Sequence, residues 1–427
     1  MPRIPPEWIA RIAVVLVAAL VAALAVRGLY QATRSNDFGV FHAAACAVVT
    51  GTSPYEIVHE GGRDYIYPPT LAILAAPLGL LPHDVAAALW IAGMLGAIGV
   101  SIAALLRLVR PVDRWARWAI GAVAVLVSWR AIESEIGNGQ ANHLVLIALV
   151  AGVVALAARR PYGAGAAFAV ATALKLSPGL FGVWLLATRR WRAFAAYVVT
   201  LAVLVLLLPA VVWGPTRTVE EYRRLQEKLS GRYDTGAEGE ESAGRHVPGY
   251  SLRALVFHLT TDVRAVTHSG GRDIRINVID GSDRLAGAIY AVAAAAVLAL
   301  SAGAIRRREE TPARALFDAS VVALAMVLVA PMTRTAHLIV LLLPAFVVAA
   351  VWFRSRSRPA LAWWVVPAIL LTFTASGFLG KAASSWARAL GCITFGTLAL
   401  WIGALVFART GRFDLIDRTD ATVPPSA

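Results

Sequence analysis

Long apolar runs recur along nearly the whole chain, each closed by a short arginine-rich loop or a longer polar segment. The first run covers residues 9–30. It exceeds the roughly 7–15 apolar residues of a cleavable signal core, and no clear cleavage site follows. It predicts a retained membrane span. Further runs over 85–106, 118–129, 143–158, 194–213, 285–305, 315–330, 338–353, 363–378 and 386–407 predict more spans. Two segments are short or broken: 70–81, and 164–186 with Lys175-Leu176-Ser177-Pro178 in its middle. A helix needs about 20 apolar residues to cross a bilayer, so these two predict half-helices or re-entrant hairpins. Such pieces are tolerated at membrane depth only where they line a protein cavity. The expected fold is an all-α polytopic membrane bundle of about ten to twelve spans.

Arginine placement orients the spans. Arg107, Arg110, Arg114 and Arg117, the pair Arg159 and Arg160, and Arg189, Arg190 and Arg192 lie in short loops between apolar runs. So do Arg306, Arg307 and Arg308, then Arg354, Arg356 and Arg358, and finally Arg409 and Arg412. Basic loops stay cytoplasmic, which puts both termini inside. The other face receives 31–69, 130–140, 214–284, the Pro331–His337 link and a turn at Gly380-Lys381. Composition agrees: 58% of the 427 residues are hydrophobic and 15% charged, against about 25% charged in soluble domains. A net charge of +14 would suit nucleic acid in a soluble protein. Here the charge lies in topological loops, so no nucleic-acid partner is expected. Cys46 and Cys392 lie far apart and read as small apolar fillers rather than metal ligands or a disulfide.

The outer face carries the unusual polar residues. Its longest segment, 214–284, opens with helical spacing at Val219, Tyr222, Leu225 and Leu229. A glycine- and charge-rich stretch over 231–249 has little to bury and reads as mobile. A helical pattern resumes from Tyr250 to Leu259, so the segment fits a lid better than an independent domain. Residues 1–413 form one membrane domain, and 414–427 a polar cytoplasmic tail expected to be disordered. No fixed-period repeat is visible.

Several of these polar residues carry candidate chemistry, and each has a plain structural reading beside it. Asp37 follows the first span and either caps the helix-compatible stretch after it or serves as a general base for an acceptor hydroxyl. His337 opens a span beside Arg334 and is either an interfacial residue or part of a site for an anionic head group. Burying such an arginine without water or an anion is costly. Lys175 interrupts an apolar segment and either snorkels to the interface or contacts a phosphate inside the bundle. Within Gly137-Asn138-Gly139-Gln140-Ala141-Asn142, the amides of Asn138, Gln140 and Asn142 either bind sugar hydroxyls or break and cap a helix. Tyr67 and Trp213 either stack on sugar or prenyl groups or belong to an anchoring aromatic belt. Phosphate-loop, dinucleotide and paired-histidine zinc motifs are missing, as is an Asp-x-Asp pair. A metal-held nucleotide donor is therefore not expected, and no cofactor is called for.

The order of motifs resembles a known family. Asp37-Phe38-Gly39-Val40-Phe41, Gly51-Thr52-Ser53-Pro54-Tyr55, Tyr65-Ile66-Tyr67-Pro68-Pro69 and Ala75-Ala76-Pro77-Leu78-Gly79-Leu80-Leu81-Pro82 resemble the opening of glycosyltransferase family 87. Its members are bacterial polyprenol-phosphate-mannose-dependent alpha-mannosyltransferases and relatives with unknown acceptors. Gly139-Gln140-Ala141-Asn142, Ala173-Leu174-Lys175-Leu176-Ser177-Pro178, Arg189-Arg190-Trp191-Arg192 and the Pro331–His337 link resemble later landmarks, so the likeness runs over about 12–407. Around Thr333–Ala336 the chain departs from the family's serine-tryptophan pattern, and Gly249-Tyr250-Ser251-Leu252 varies an asparagine-containing segment.

The resemblance implies a GT-C type bundle in the bacterial plasma membrane with an extracytoplasmic active site. It further implies a polyprenyl-phosphate sugar donor, mannose by preference, a lipid-linked or glycan acceptor, and inverting displacement without a metal. Asp37 falls where the family places its essential acid, and His337 is a second base or phosphate partner. With the donor's leaving group already built in, positioning, an anion clamp and one base suffice. Lys175 and Arg334 are the candidate clamp. A secondary transporter, which shares broken helices and intramembrane charge, and a lipid flippase remain the rival classes.

Overall fold

The computed structural model describes residues 22–31, 37–59, 63–109, 114–233, 246–267, 273–305, 311–355 and 357–411. These are helical apart from turns, connecting segments and two small antiparallel ribbons. One ribbon pairs Val58–His59 with Arg63–Asp64, the other Val266–Thr267 with Asp273–Ile274. Residues 9–21 of the first run, most of the 231–249 stretch, the 412–427 tail and Arg110, Arg306, Arg307, Arg308 and Arg356 lie outside the described residues.

Among the described residues, six helices are long and apolar enough to cross a membrane. They are His83–Leu108, Trp191–Trp213, Asp283–Ala304, Pro312–Val329, Thr335–Ser355 and Cys392–Thr410. A seventh follows if Arg358–Phe373 and Ser376–Ala389, bent by 83° at their junction, count as one span. The chain is thus a multi-pass membrane protein. The larger count of ten to twelve would need the shorter apolar helices Asp37–Thr50, Pro69–Gly79, Asn142–Ala157 and Pro161–Leu174 as well.

Burial ranks these helices. In Pro312–Val329 every residue from Ala313 to Leu328 is buried, as is every residue from Leu342 to Val351 in Leu342–Ser355. A helix that is apolar all round belongs in the middle of a bundle. These two form the central hairpin, and the Pro331–Arg334 link between them therefore emerges on the bundle axis. Trp191–Trp213 and Asp283–Ala304, mostly uncovered by protein, lie at the periphery. A cluster of three charges sits at the start of Pro312–Val329. Arg314 Nε lies 2.8 Å from Asp318 Oδ1, and Arg190 Nη2 3.6 Å from Asp318 Oδ2. Removing one partner would strand a buried charge.

Three boundaries differ from the hydropathy reading. The expected span 118–129 and outer loop 130–140 are one continuous helix, Arg114–Asn138. Ala131, Ile132 and Ile136 stay buried across it, while Arg27 pairs with Glu133 at 2.5 Å. Partners elsewhere in the fold let the helix run through its charges. The expected turn at Gly380-Lys381 is a kink within Ser376–Ala389, where Gly380 adopts φ 75°. The run 386–407 is split by left-handed Gly391 (φ 78°), and the helix proper begins at Cys392.

Helix Pro215–Tyr233 is tied to the 52–64 loop. Ser53 Oγ donates to Glu221 Oε2 at 2.5 Å, and Arg217 Nη2 donates to the Thr52 carbonyl at 2.9 Å. Arg224 meets Glu56 at 3.0 Å, and Lys228 meets Asp64 at 2.8 Å. The shorter helix Leu252–Thr260 starts at Ser251, whose hydroxyl accepts from Ala254 N.

Candidate active site

A cavity of about 980 Å³ opens between these pieces and the central hairpin. Asp37, Tyr67, Asn138, Gln140, Asn142, Lys175, Arg334 and His337 all line it. Eight of the nine residues singled out from the sequence as catalytic, phosphate or sugar candidates are therefore in one chamber. Trp213 is not among the lining residues; the Arg217 guanidinium lies over its ring, 5.6 Å from the centroid.

Asp37 opens the helix Asp37–Thr50. Phe38 and Phe41, both buried, pack on Trp90 with ring centroids 5.7 and 5.6 Å apart. That packing fixes the helix whose first turn holds the carboxylate. The Gln140 side-chain amide donates to Asp37 Oδ2, and Gln140 Oε1 accepts from the Tyr67 hydroxyl at 3.0 Å. Tyr67 is itself held by a stiff loop. Tyr55 donates to the Tyr67 carbonyl at 2.8 Å, buried Tyr65 donates to the Pro68 carbonyl at 2.9 Å, and Phe41 meets the Tyr67 ring edge-on at 5.0 Å.

The Gly-Asn-Gly-Gln-Ala-Asn run ends one helix and begins the next. Gly139 takes φ 61°, the left-handed conformation that closes helices at little cost only in glycine. Its carbonyl accepts from Trp90 Nε1 at 3.0 Å, and Gln140 N donates to the Glu135 carbonyl at 3.1 Å. This tight turn aims Gln140 and Asn142 into the cavity. Asn138, at the helix end, donates to the Ser134 carbonyl at 2.7 Å. The run is therefore a helix terminator whose amides face the chamber.

Lys175 sits in the break between Pro161–Leu174 and Gly179–Ala187, with an extended backbone (φ −156°, ψ 132°). Its Nζ donates to Asn142 Oδ1 at 2.6 Å and lies 5.5 Å from the centroid of the Tyr67 ring. The charges of Glu135, Arg334 and Asp37 all act on it. It points inward rather than snorkelling outward.

Arg334 and His337 come from the link at the top of the central hairpin. Arg334 N donates to His337 Nδ1 at 3.2 Å, and His337 N to the Arg334 carbonyl at 3.0 Å. A backbone N–H can only donate, so Nδ1 of a neutral His337 is an acceptor and Nε2 carries the proton. In this arrangement His337 offers a donor rather than a base. The link is pinned from outside: Tyr250 N donates to the Thr333 carbonyl at 2.6 Å, and Thr333 Oγ1 to the Val327 carbonyl at 2.7 Å. Gly249 has φ 110°, and a Cβ there would stand 2.9 Å from the Thr333 carbonyl oxygen. We expect Gly249→Ala to destabilise the protein by ~1–3 kcal/mol through backbone strain and to lower activity by displacing Arg334. Thermal unfolding together with an activity assay checks this; an unshifted melting temperature would show that the strap does not hold the link.

Residues 65–331, more than half of the chain, match Glycosyltransferase family 87. The chain belongs to that family. It is a multi-pass membrane member of the family. A stretch of 131 residues is 30% identical to a polyprenol-phosphate-mannose-dependent alpha-(1-2)-phosphatidylinositol pentamannoside mannosyltransferase of Mycolicibacterium smegmatis. That match covers 31% of each chain, so it spans about a third of the relative's length. Among solved structures, ArnT from Cupriavidus metallidurans bound to undecaprenyl phosphate is similar at a TM-score of 0.38 and 14% identity, over 96% of this chain and 79% of ArnT. Asp37, Arg334 and His337 lie outside the family match, and Tyr67, Asn138, Gln140, Asn142 and Lys175 inside it.

The chamber holds further polar residues that pattern reading passed over. Arg388, Tyr250, His246 and Asp64 line it, and Glu135 stands directly behind Asn142. The signal for Glu135 was three charges, Arg130, Glu133 and Glu135, within six residues of one helix. The hydropathy reading placed them in an outer loop and drew no role from them. Among the described residues, no group of three or more His, Cys, Asp or Glu could hold a metal ion. A second, apolar pocket of about 490 Å³ adjoins the chamber. Leu176, Leu225, Leu229 and Pro68 line both, and Leu201, Val205 and Tyr222 extend the second.

Proposed function

We propose that this glycosyltransferase moves a mannosyl group from a polyprenyl-phosphate donor to a lipid-linked or glycan acceptor, with its chamber facing the extracytoplasmic side of a bacterial plasma membrane. The carrying observation is a single chamber lined by Asp37 and by the cations Lys175 and Arg334, contributed by three distant parts of the chain. The GT-C type of bundle and the choice of mannose rest on family membership and on the activity of the mycobacterial relative.

In this reading the donor's prenyl chain lies in the apolar pocket and its phosphate against Lys175, Arg334 and the His337 Nε2–H. The acceptor hydroxyl oxygen attacks the anomeric carbon from the face opposite the phosphate. The carbon–oxygen bond to phosphate breaks, and its electron pair leaves with the polyprenyl phosphate. Asp37 takes the hydroxyl proton. The leaving phosphate gains negative charge as the bond breaks, so preorganised cations favour the transition state over the bound donor. That charge compensation comes from side chains, and the proposed displacement uses no metal. The Gln140 amide holds one carboxylate oxygen of Asp37 and so orients the base. Tyr67 and Asn138 are the remaining candidates for contacts to sugar.

The test incubates the purified protein in lipid nanodiscs with radiolabelled polyprenyl-phosphate mannose and an envelope glycolipid extract. A new glycoside of inverted anomeric configuration, identified by mass and glycosidase sensitivity, is the expected product. Uptake of label into vesicles with no covalent product would instead point to transport and end the proposal.

A further inference from the structure

Glu135 is wholly enclosed at 0% exposure, has no contact with the chamber, and plays no part in the steps above. Its carboxylate nevertheless gathers three donors. Asn142 Nδ2 reaches Oε2 at 2.9 Å, the His143 backbone N–H reaches Oε1 at 2.8 Å, and His143 Nδ1 lies 3.1 Å from Oε1. His143 Nδ1 is also 3.0 Å from the Gln140 carbonyl. Both neighbours are acceptors, so Nδ1 carries a proton and donates.

These bonds determine which way the Asn142 amide faces. With Nδ2 committed to Glu135, Oδ1 is turned toward Lys175 and accepts from Nζ at 2.6 Å. Reversing the amide would set an NH₂ group against an ammonium. A buried carboxylate is thus coupled through one amide to the cation that faces the chamber, and its negative charge acts on Lys175 directly.

We infer that Glu135 is the positioning residue for Lys175, acting through Asn142, and that it thereby sets how firmly the donor phosphate is held. The assignment of Lys175 to the phosphate rests on the proposed function; the coupling of Glu135 to Lys175 does not. Glu135→Gln is the informative change because it keeps shape and packing. Its amide cannot accept from Asn142 and from both His143 donors at once. Either the glutamine NH₂ confronts a His143 donor, or Asn142 rotates and turns its NH₂ toward Lys175.

The first measurement needs no turnover. Lys175, Lys228 and Lys381 are the only lysines in the chain, so amine acylation by a small reagent can be followed at each by peptide mass spectrometry. In Glu135→Gln the rate at Lys175 relative to the other two should rise about tenfold, the size expected for loss of a charge-assisted hydrogen bond. Asn142→Ala should raise the ratio in the same direction, and the double variant should change it by less than the product of the two single effects, because both act on one network. An unchanged ratio in Glu135→Gln, with or without a lower melting temperature, would overturn the inference and leave Glu135 a packing residue. The second measurement is kinetic: kcat/KM for the donor should fall about tenfold. An unchanged kcat/KM for the donor would also overturn the assignment. If the unsubstituted protein transfers no sugar, the proposed function fails, while the acylation ratio still decides for or against Glu135.

Discussion

Asp37→Asn is expected to insert and fold like the parent protein and to lose about 10²–10⁴-fold in transfer rate, the usual contribution of a positioned general base. The substitution is nearly isosteric. The new side-chain oxygen can still accept from the Gln140 amide that now donates to Asp37, so the network of Gln140 and Tyr67 survives. What disappears is the site that receives the acceptor's proton. The packing of Phe38 and Phe41 on Trp90 is untouched, and the melting temperature should therefore move little. Rates measured in nanodiscs at saturating donor and acceptor separate the two effects. Turnover within tenfold of the parent would remove Asp37 from the chemistry.

Lys175→Gln should lower kcat/KM for the donor by about 10²–10³-fold, the magnitude seen when one preorganised stabiliser of developing negative charge is removed. Glutamine can still donate to Asn142 Oδ1, which now accepts from Nζ at 2.6 Å. The change therefore tests charge more than position. Lys175 is the cation that adjoins Tyr67, Asn142 and the charge of Asp37 together, so its loss should exceed that of Arg334→Gln. Steady-state kinetics with varied donor check the ordering. A larger loss at Arg334 would move the phosphate toward the hairpin link and away from the helix break.

Much of the fold was legible along the chain. Most long apolar runs became helices within a few residues of their expected ends, as with Asp283–Ala304 against 285–305 and Pro312–Val329 against 315–330. The interruption at Lys175 was legible too, because Pro178 and short apolar flanks leave no room for an unbroken span. The helix Arg114–Asn138 was not. Hydropathy treats Arg130, Glu133 and Glu135 as reasons to leave the membrane, whereas Thr374, Arg27 and Asn142 supply their partners inside the fold. Glu135 was missed for the same reason. The role of Gln140 and Asn142 shifted as well: amides that looked free to bind sugar are engaged with Asp37, Tyr67, Lys175 and Glu135.

By itself the sequence determined the membrane class, the rough places of the long helices and the kinds of side chain available for chemistry. Those follow from local windows, since a bilayer tests each stretch of about 20 residues for hydropathy largely on its own. Only the tertiary structure decided that positions 37, 175 and 334 share one chamber, and that a buried acid stands behind the lysine. Which helix faces meet depends on packing and hydrogen bonding between segments far apart in the chain, and no window along the sequence contains both partners.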